Sequence, residues 1–193
     1  MIWMFLIFAI IVGWLKGGKL RRLGNLDFRY LWMFIVALLL QYLIILFGGQ
    51  DIKFISDYFT EIYIASYILL FIGIIINIKN RPLLIILVGS VLNFFVFIMN
   101  DGNIPVSLEG LKLAGMNEVV EIIQSGQLKL YTSLTETTKY GHLGQVISIH
   151  ESFPFPQVFS IGDFIIGLGL FIFIESAMTS KGLDRRVDFG FGR

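Results

Sequence analysis

No cysteine occurs in the 193-residue chain. Disulfides, a thiolate zinc site, a cysteine-ligated iron–sulfur cluster and a cysteine nucleophile are therefore excluded. Charge is scarce too: 15% of the residues are charged, where a soluble domain carries roughly 25%. The net charge is only +1, without the basic surplus of a nucleic-acid-binding surface, so no nucleic-acid partner is expected. Histidine is limited to His142 and His150, with no cysteine or tight carboxylate spacing beside them, and no metal site is read from the pair. Neither histidine lies in an apolar run, which argues against axial ligation of a membrane haem. The GxxxxGK[ST], HExxH and GxSxG patterns are missing as well. No catalytic residue and no cofactor is expected.

What remains is apolar. Hydrophobic residues make up 56% of the chain and the mean hydropathy is +0.80, which leaves too little polar surface for a water-facing globule. A helix needs about 20 apolar residues to cross a hydrocarbon core of about 30 Å. Five runs approach that length, at residues 1–15, 30–47, 58–78, 82–99 and 158–178. The pattern predicts an all-α fold, a single membrane domain over residues 1–193 built as a bundle of five transmembrane helices. A long, partly helical extracytoplasmic loop, 100–157, joins the fourth and fifth, and residues 179–193 form a cytoplasmic tail. The first run is short and ends at Lys16, which can snorkel. Its positive charges follow the apolar segment, which marks an anchor and not a cleaved signal peptide.

Orientation follows from the basic residues. With the N-terminus outside, the inner segments hold Lys16, Lys19, Arg21, Arg22, Arg29, Lys79, Arg81, Lys181, Arg185, Arg186 and Arg193. The outer segments hold Lys53, Lys112, Lys129 and Lys139. This bias places the C-terminus in the cytoplasm and the chain in a cytoplasmic (inner) membrane, with the lipid bilayer as its first partner. Glu175 is expected to meet Lys181 or Arg185. In the outer loop, Pro105 and Ser107 start a short helix that Gly115 stops, and Asn117 caps a second that runs to Gly126. Both pieces are apolar enough to lie on the membrane or to cap the bundle. Residues 131–140, rich in Thr, read as a strand or an open loop.

Polar groups inside hydrocarbon need a partner or a purpose. Gln41, Ser66, Asn93 and Asp163 all fall roughly 7–12 Å beneath the outer surface at 1.5 Å per residue. They predict a polar pocket in the outer leaflet, roofed by the long loop, with Asn100, Asp101, Asn103 and Ser160 as further candidates for holding a small ligand or ion. For the neutral groups, interhelical hydrogen bonding is the bland alternative. For Asp163 two roles stand open, a helix-start carboxylate that caps its own helix or a contact to ion, proton or substrate. Gly162, Gly169 and Ser176, at seven-residue steps, form a seam for close helix packing.

Several blocks then resemble a known family. These are the run from Leu15 through Lys19, Arg21 and Arg22, then Trp32 and Gln41, and the segment from Asn93 through Asn100, Gly102, Pro105, Val106 and Ser107. The block from His142 to Ile147 and the tetrad Ser160-Ile-Gly-Asp163 continue it. Together they resemble the DUF5317 family of bacterial multipass membrane proteins, whose function is unknown. Ile104 stands where that family usually has Met, and Gln145 where Asp is common. The resemblance implies a multipass topology and adds no chemistry. Three functions fit the residues: a non-enzymatic accessory, carrier or binding protein with an outward-facing pocket; a structural subunit among other membrane subunits; and an intramembrane aspartyl hydrolase. The last rests on Ser160-Ile-Gly-Asp163, which partly resembles a Gly–x–Gly–Asp signature, and it needs a second carboxylate at about 3 Å.

Overall fold

The computed structural model describes residues 1–47 and 57–181. Lys53, Arg185, Arg186, Arg193 and the tail beyond residue 181 lie outside the described residues. Five apolar helices carry the fold: α1 Ile2–Leu15, α2 Leu31–Phe47, α3 Phe59–Ile76, α4 Pro82–Met99 and, at the end, α7 Ile161–Thr179. Pro82 opens α4 at a position where a helix does not need its N–H. α3, α4 and α7 are long and apolar enough to cross a membrane. α1 and α2 are apolar but shorter, with 14 and 17 residues. Among the described residues, three helices therefore meet the length expected of a span. The fifth run also begins later than hydropathy suggests, because Gln157–Phe159 is a strand.

The helices form two groups. α7 packs along both α4 and α1, α2 packs along α3, and contact between α3 and α4 is sparse. Large apolar side chains such as Trp3, Phe8, Leu39 and Val88 point outward from the bundle. At one end the groups are joined by a cluster of Ile44, Phe59, Tyr63, Tyr67, Phe97 and Leu130. Near the other end, Ile74, Leu83 and Ile86 pack with Phe28, Phe34 and Phe173.

The segment between α4 and α7 folds into a cap. Strand β1 Ile104–Val106 pairs in parallel with β2 Tyr131–Ser133, placing Ile104 beside Tyr131. β3 Ile147–Ile149 pairs antiparallel with β4 Gln157–Phe159. Helices α5 Leu108–Leu113 and α6 Asn117–Gln124 complete it. Ser107 caps α5 by accepting from the Gly110 N–H at 3.0 Å, and Gly115 follows it at φ +71°, the left-handed conformation in which helices commonly stop. Asn117 does not cap α6: it is the first helical residue, and Met116 holds the cap position without a side-chain bond. The apolar faces turn inward, where Val106, Leu111, Val120 and Ile123 form a core of the cap's own. The loop thus caps the bundle. The Thr-rich stretch is a three-residue strand followed by turns.

At the opposite end the chain is stitched by polar contacts. Arg22, 5% exposed, donates to the Met178 carbonyl at 2.8 Å near the C-terminus of α7, where positive charge suits the helix dipole. Asn77 donates to the carbonyls of Arg29 and Gly73, each at 2.8 Å, and accepts from the Arg29 N–H at 2.9 Å. Glu175 pairs with Lys16, at the end of α1, at 3.0 Å, and not with the expected Lys181; the other expected partner, Arg185, lies outside the described residues. The reason is packing: α1 and α7 lie side by side.

Candidate functional site

The site grows from the start of α7. Ser160 sits in extended backbone and its hydroxyl accepts from the Asp163 N–H at 2.9 Å, while one Asp163 oxygen accepts from the Ser160 N–H at 3.1 Å. This reciprocal capping box fixes the carboxylate. Its other oxygen accepts from the Asn93 amide of α4 at 2.7 Å, and the Ser160 hydroxyl donates back to the Asn93 oxygen at 2.7 Å. Asn93 can enter because residue 162 is glycine: a Cβ there would collide with the Asn93 side-chain oxygen and lie 2.7 Å from the Gly89 carbonyl. The capping role of Asp163 is therefore realised. The carboxylate also lines a cavity.

That cavity, of about 680 Å³, lies between the two helix groups and below the cap. Gln41, Asn93, Ser160 and Asp163 line its cap end, together with Tyr131 and Gln145 from the cap itself. Tyr63, Tyr67 and Ser90 add hydroxyl groups to the wall, and the remainder is apolar, ending among Phe28, Leu83 and Phe173. Burial, reinforced by the negative charge of Asp163, pushes the Tyr131 phenol above its ordinary range, with the nearby Gln145 side chain opposing the rise. Tyr131 is therefore a neutral hydrogen-bonding group at ordinary pH.

Four of the eight candidate residues, Gln41, Asn93, Ser160 and Asp163, meet in this cavity. Ser66 does not: it is fully buried and its hydroxyl donates to the Tyr63 carbonyl of its own helix at 2.6 Å. Asn100 is a clasp, donating to the Lys139 carbonyl at 2.9 Å and accepting from the Lys139 N–H at 3.1 Å, which ties the cap to the end of α4. Asp101 and Asn103 lie in the turn after α4, in a surface hollow away from Asp163. Gly162 packs against Gly89 and Asn93, and Gly169 against Ile85 and Ile86. Both are thus used within the chain, whereas Ser176 is exposed and stands outside that seam. Tyr131 and Gln145 were not among the candidates. The signal for Gln145 lay in the block His142–Ile147, one of those that carry the family resemblance.

The Asn100 clasp makes a prediction. Asn100→Ala should cost about 0.5–1.5 kcal/mol for each exposed hydrogen bond lost to the Lys139 backbone, read as faster amide exchange at residues 135–140. Glu121→Ala, at an exposed helical site, should stay within about 0.5 kcal/mol. Equal exchange in the two variants would refute the clasp.

Comparison with known sequences gives one match: the model of the family of unknown function DUF5317 covers residues 25–175. No curated protein and no solved structure matches the chain.

Proposed function

Because the chain belongs to the DUF5317 family, a family of unknown function, we propose from its own geometry that it is a multipass membrane protein that binds a small ligand in an outward-facing pocket. The observation that carries this reading is the cavity headed by the Asn93–Ser160–Asp163 ring. Its volume falls in the range of about 300–1,000 Å³ typical of small-molecule sites, and its apolar wall with a few converging polar groups fits that class. A five-span bundle is supported by α1 and α2, which lie along α7 and α3 and expose Ile7, Phe8, Ile35 and Leu39 as those helices expose their own apolar faces. A bilayer thins, or flanking residues snorkel, to accept such short helices at modest cost. The cap sits at the end of α4 and the start of α7, while Lys16, Lys19, Arg21, Arg22, Lys79 and Arg81 cluster near the other helix ends. That division favours the cap outside and the basic end in the cytoplasm.

Binding is favoured over hydrolysis. An aspartyl dyad needs two carboxylates at about 3 Å, and among the described residues Asp163 is the one carboxylate lining the cavity. The structural-subunit reading draws little from the glycine seam, since Gly162 and Gly169 are covered by α4.

A chain without cysteine makes the orientation directly testable. A single Lys139→Cys variant should react with a membrane-impermeant maleimide in intact cells, and Lys79→Cys only after the membrane is opened. The reverse pattern would turn the pocket toward the cytoplasm and overturn the reading.

A further inference from the structure

The cavity is more specific than a pocket for any small solute. Below the Asn93–Asp163 pair its walls are formed by Leu70 of α3, Ile86 of α4 and Ile166 and Leu170 of α7. From Asp163 to Phe173 this shaft descends about 15 Å at 1.5 Å per residue, half of a hydrocarbon core of about 30 Å. That is the depth of one leaflet. At the head the chemistry reverses. The Asp163 carboxylate spends one bond on each oxygen, although each oxygen can accept two. Gln41 lines the same end, and among the described residues its amide makes no hydrogen bond. One turn below Asn93, Ser90 is 1% exposed, lines the cavity and likewise makes no side-chain hydrogen bond among the described residues.

Charge selects the occupant further. No Lys, Arg or His lines the cavity, and Asp163 has no ion-pair partner among the described residues. The Met1 ammonium lies within electrostatic reach of Asp163, but it donates to the Gln157 side-chain oxygen and is not part of the lining. A partly buried carboxylate in apolar surroundings attracts a cation and repels an anion. The wall also suggests how a greasy molecule arrives. α2 has its extensive helix packing with α3, and α1 with α7. Ile2 of α1 and Leu31, Leu38 and Ile45 of α2 line the cavity and yet remain exposed. They frame a lateral mouth between α1 and α2 at which lipid and cavity meet.

We infer that the occupant is a single-chain amphiphile with an amine-bearing headgroup, taken from the bilayer between α1 and α2, its amine at Asp163 and Asn93 and its hydrocarbon chain in the shaft. The inference rests on the pocket reading above and adds the ligand's class and route.

The test uses the full chain in phosphatidylcholine nanodiscs, with bound lipid counted by native mass spectrometry. Three probes are offered at equal concentration: lysophosphatidylethanolamine, lysophosphatidylglycerol with the same acyl chain, and chainless phosphoethanolamine. One equivalent of the amine lipid should be retained, with about a tenfold preference over the anionic lipid, the factor that corresponds to about 1.4 kcal/mol. Asp163→Asn, which keeps an oxygen for the capping box, should bring the two lipids within about twofold of each other while the acyl chain is still held. Leu170→Trp should exclude both lipids. Should that variant elute as aggregate, Leu38→Trp, at an exposed position on the mouth, should slow uptake of both. Equal or stronger binding of lysophosphatidylglycerol to the wild type overturns the headgroup assignment. Retention of phosphoethanolamine without either lipid overturns the amphiphile and leaves a pocket for a small polar amine. If a monodisperse wild type retains none of the three, the inference and the pocket reading both fall.

Discussion

Gly162→Leu is expected to prevent the bundle from closing. At this point α4 and α7 touch backbone to backbone. A Cβ at Gly89 would lie 2.5 Å from the Gly162 carbonyl, and one at Gly162 would lie 2.7 Å from the Gly89 carbonyl and collide with Asn93. Backbone cannot yield as a flexible side chain does. A single added methyl, as in Gly162→Ala, should cost about 1–3 kcal/mol by overpacking. Leucine adds three more carbons and also displaces the Asn93 amide from Asp163. The expected result is loss of the monodisperse peak in mild detergent for the leucine variant and a lowered melting temperature for the alanine variant, roughly 2–4 °C per kcal/mol. A leucine variant that elutes and melts like the parent would mean that α4 and α7 do not approach here.

The second large effect is expected at Asn77. Its side chain pairs with both the N–H and the carbonyl of Arg29, as a neighbouring strand would, and also reaches the Gly73 carbonyl. The side chain is 4% exposed, so water cannot replace these bonds. Each buried group left unpaired costs about 1–3 kcal/mol, and Asn77→Ala strands two groups on Arg29. Asn77→Asp is the sharper variant: a carboxylate still accepts from the Arg29 N–H but meets two carbonyls with no proton to give. Aspartate should therefore destabilise at least as much as alanine in a thermal melt, despite its nearly identical shape. If aspartate is tolerated and alanine is not, the hydrogen-bond pattern described is wrong.

Hydropathy located the helices well because a long apolar run has few other fates. The expected 82–99 coincides with α4, and 1–15 and 30–47 lie within a residue of α1 and α2. It failed at 158–160, where Val158 and Phe159 are as apolar as a helix start but pair with β3. Strand pairing is a property of two segments, and only one is in view when a run is scored. The grouping of candidate residues was legible from position along the helices, since antiparallel neighbours carry residues at matched distances from their ends to one level. Asn93 and Asp163 met for that reason. Ser66 shares their level but turns its hydroxyl to its own backbone, and depth says nothing about direction around a helix axis. Asn100 misled differently: it lies where α4 ends, and the backbone of Lys139 claims its amide. The Asn77–Arg29 pairing was not foreseen, because a side chain that mimics a strand leaves no periodic trace.

Among the described residues, α7 packs along two helices, α1 from the beginning of the chain and α4 from its middle. Synthesis runs the other way, so α1 must wait for nearly the whole polypeptide before its surface is covered. The cavity, too, lacks a wall until Asp163 and Leu170 have emerged. A nascent chain halted before Ile161 would hold α2 and α3 already paired, while α1 and α4 remained bare on the sides meant for α7. Assembly of this protein is therefore decided late, by contacts distant in sequence, and the site comes into being in the same event that completes the fold.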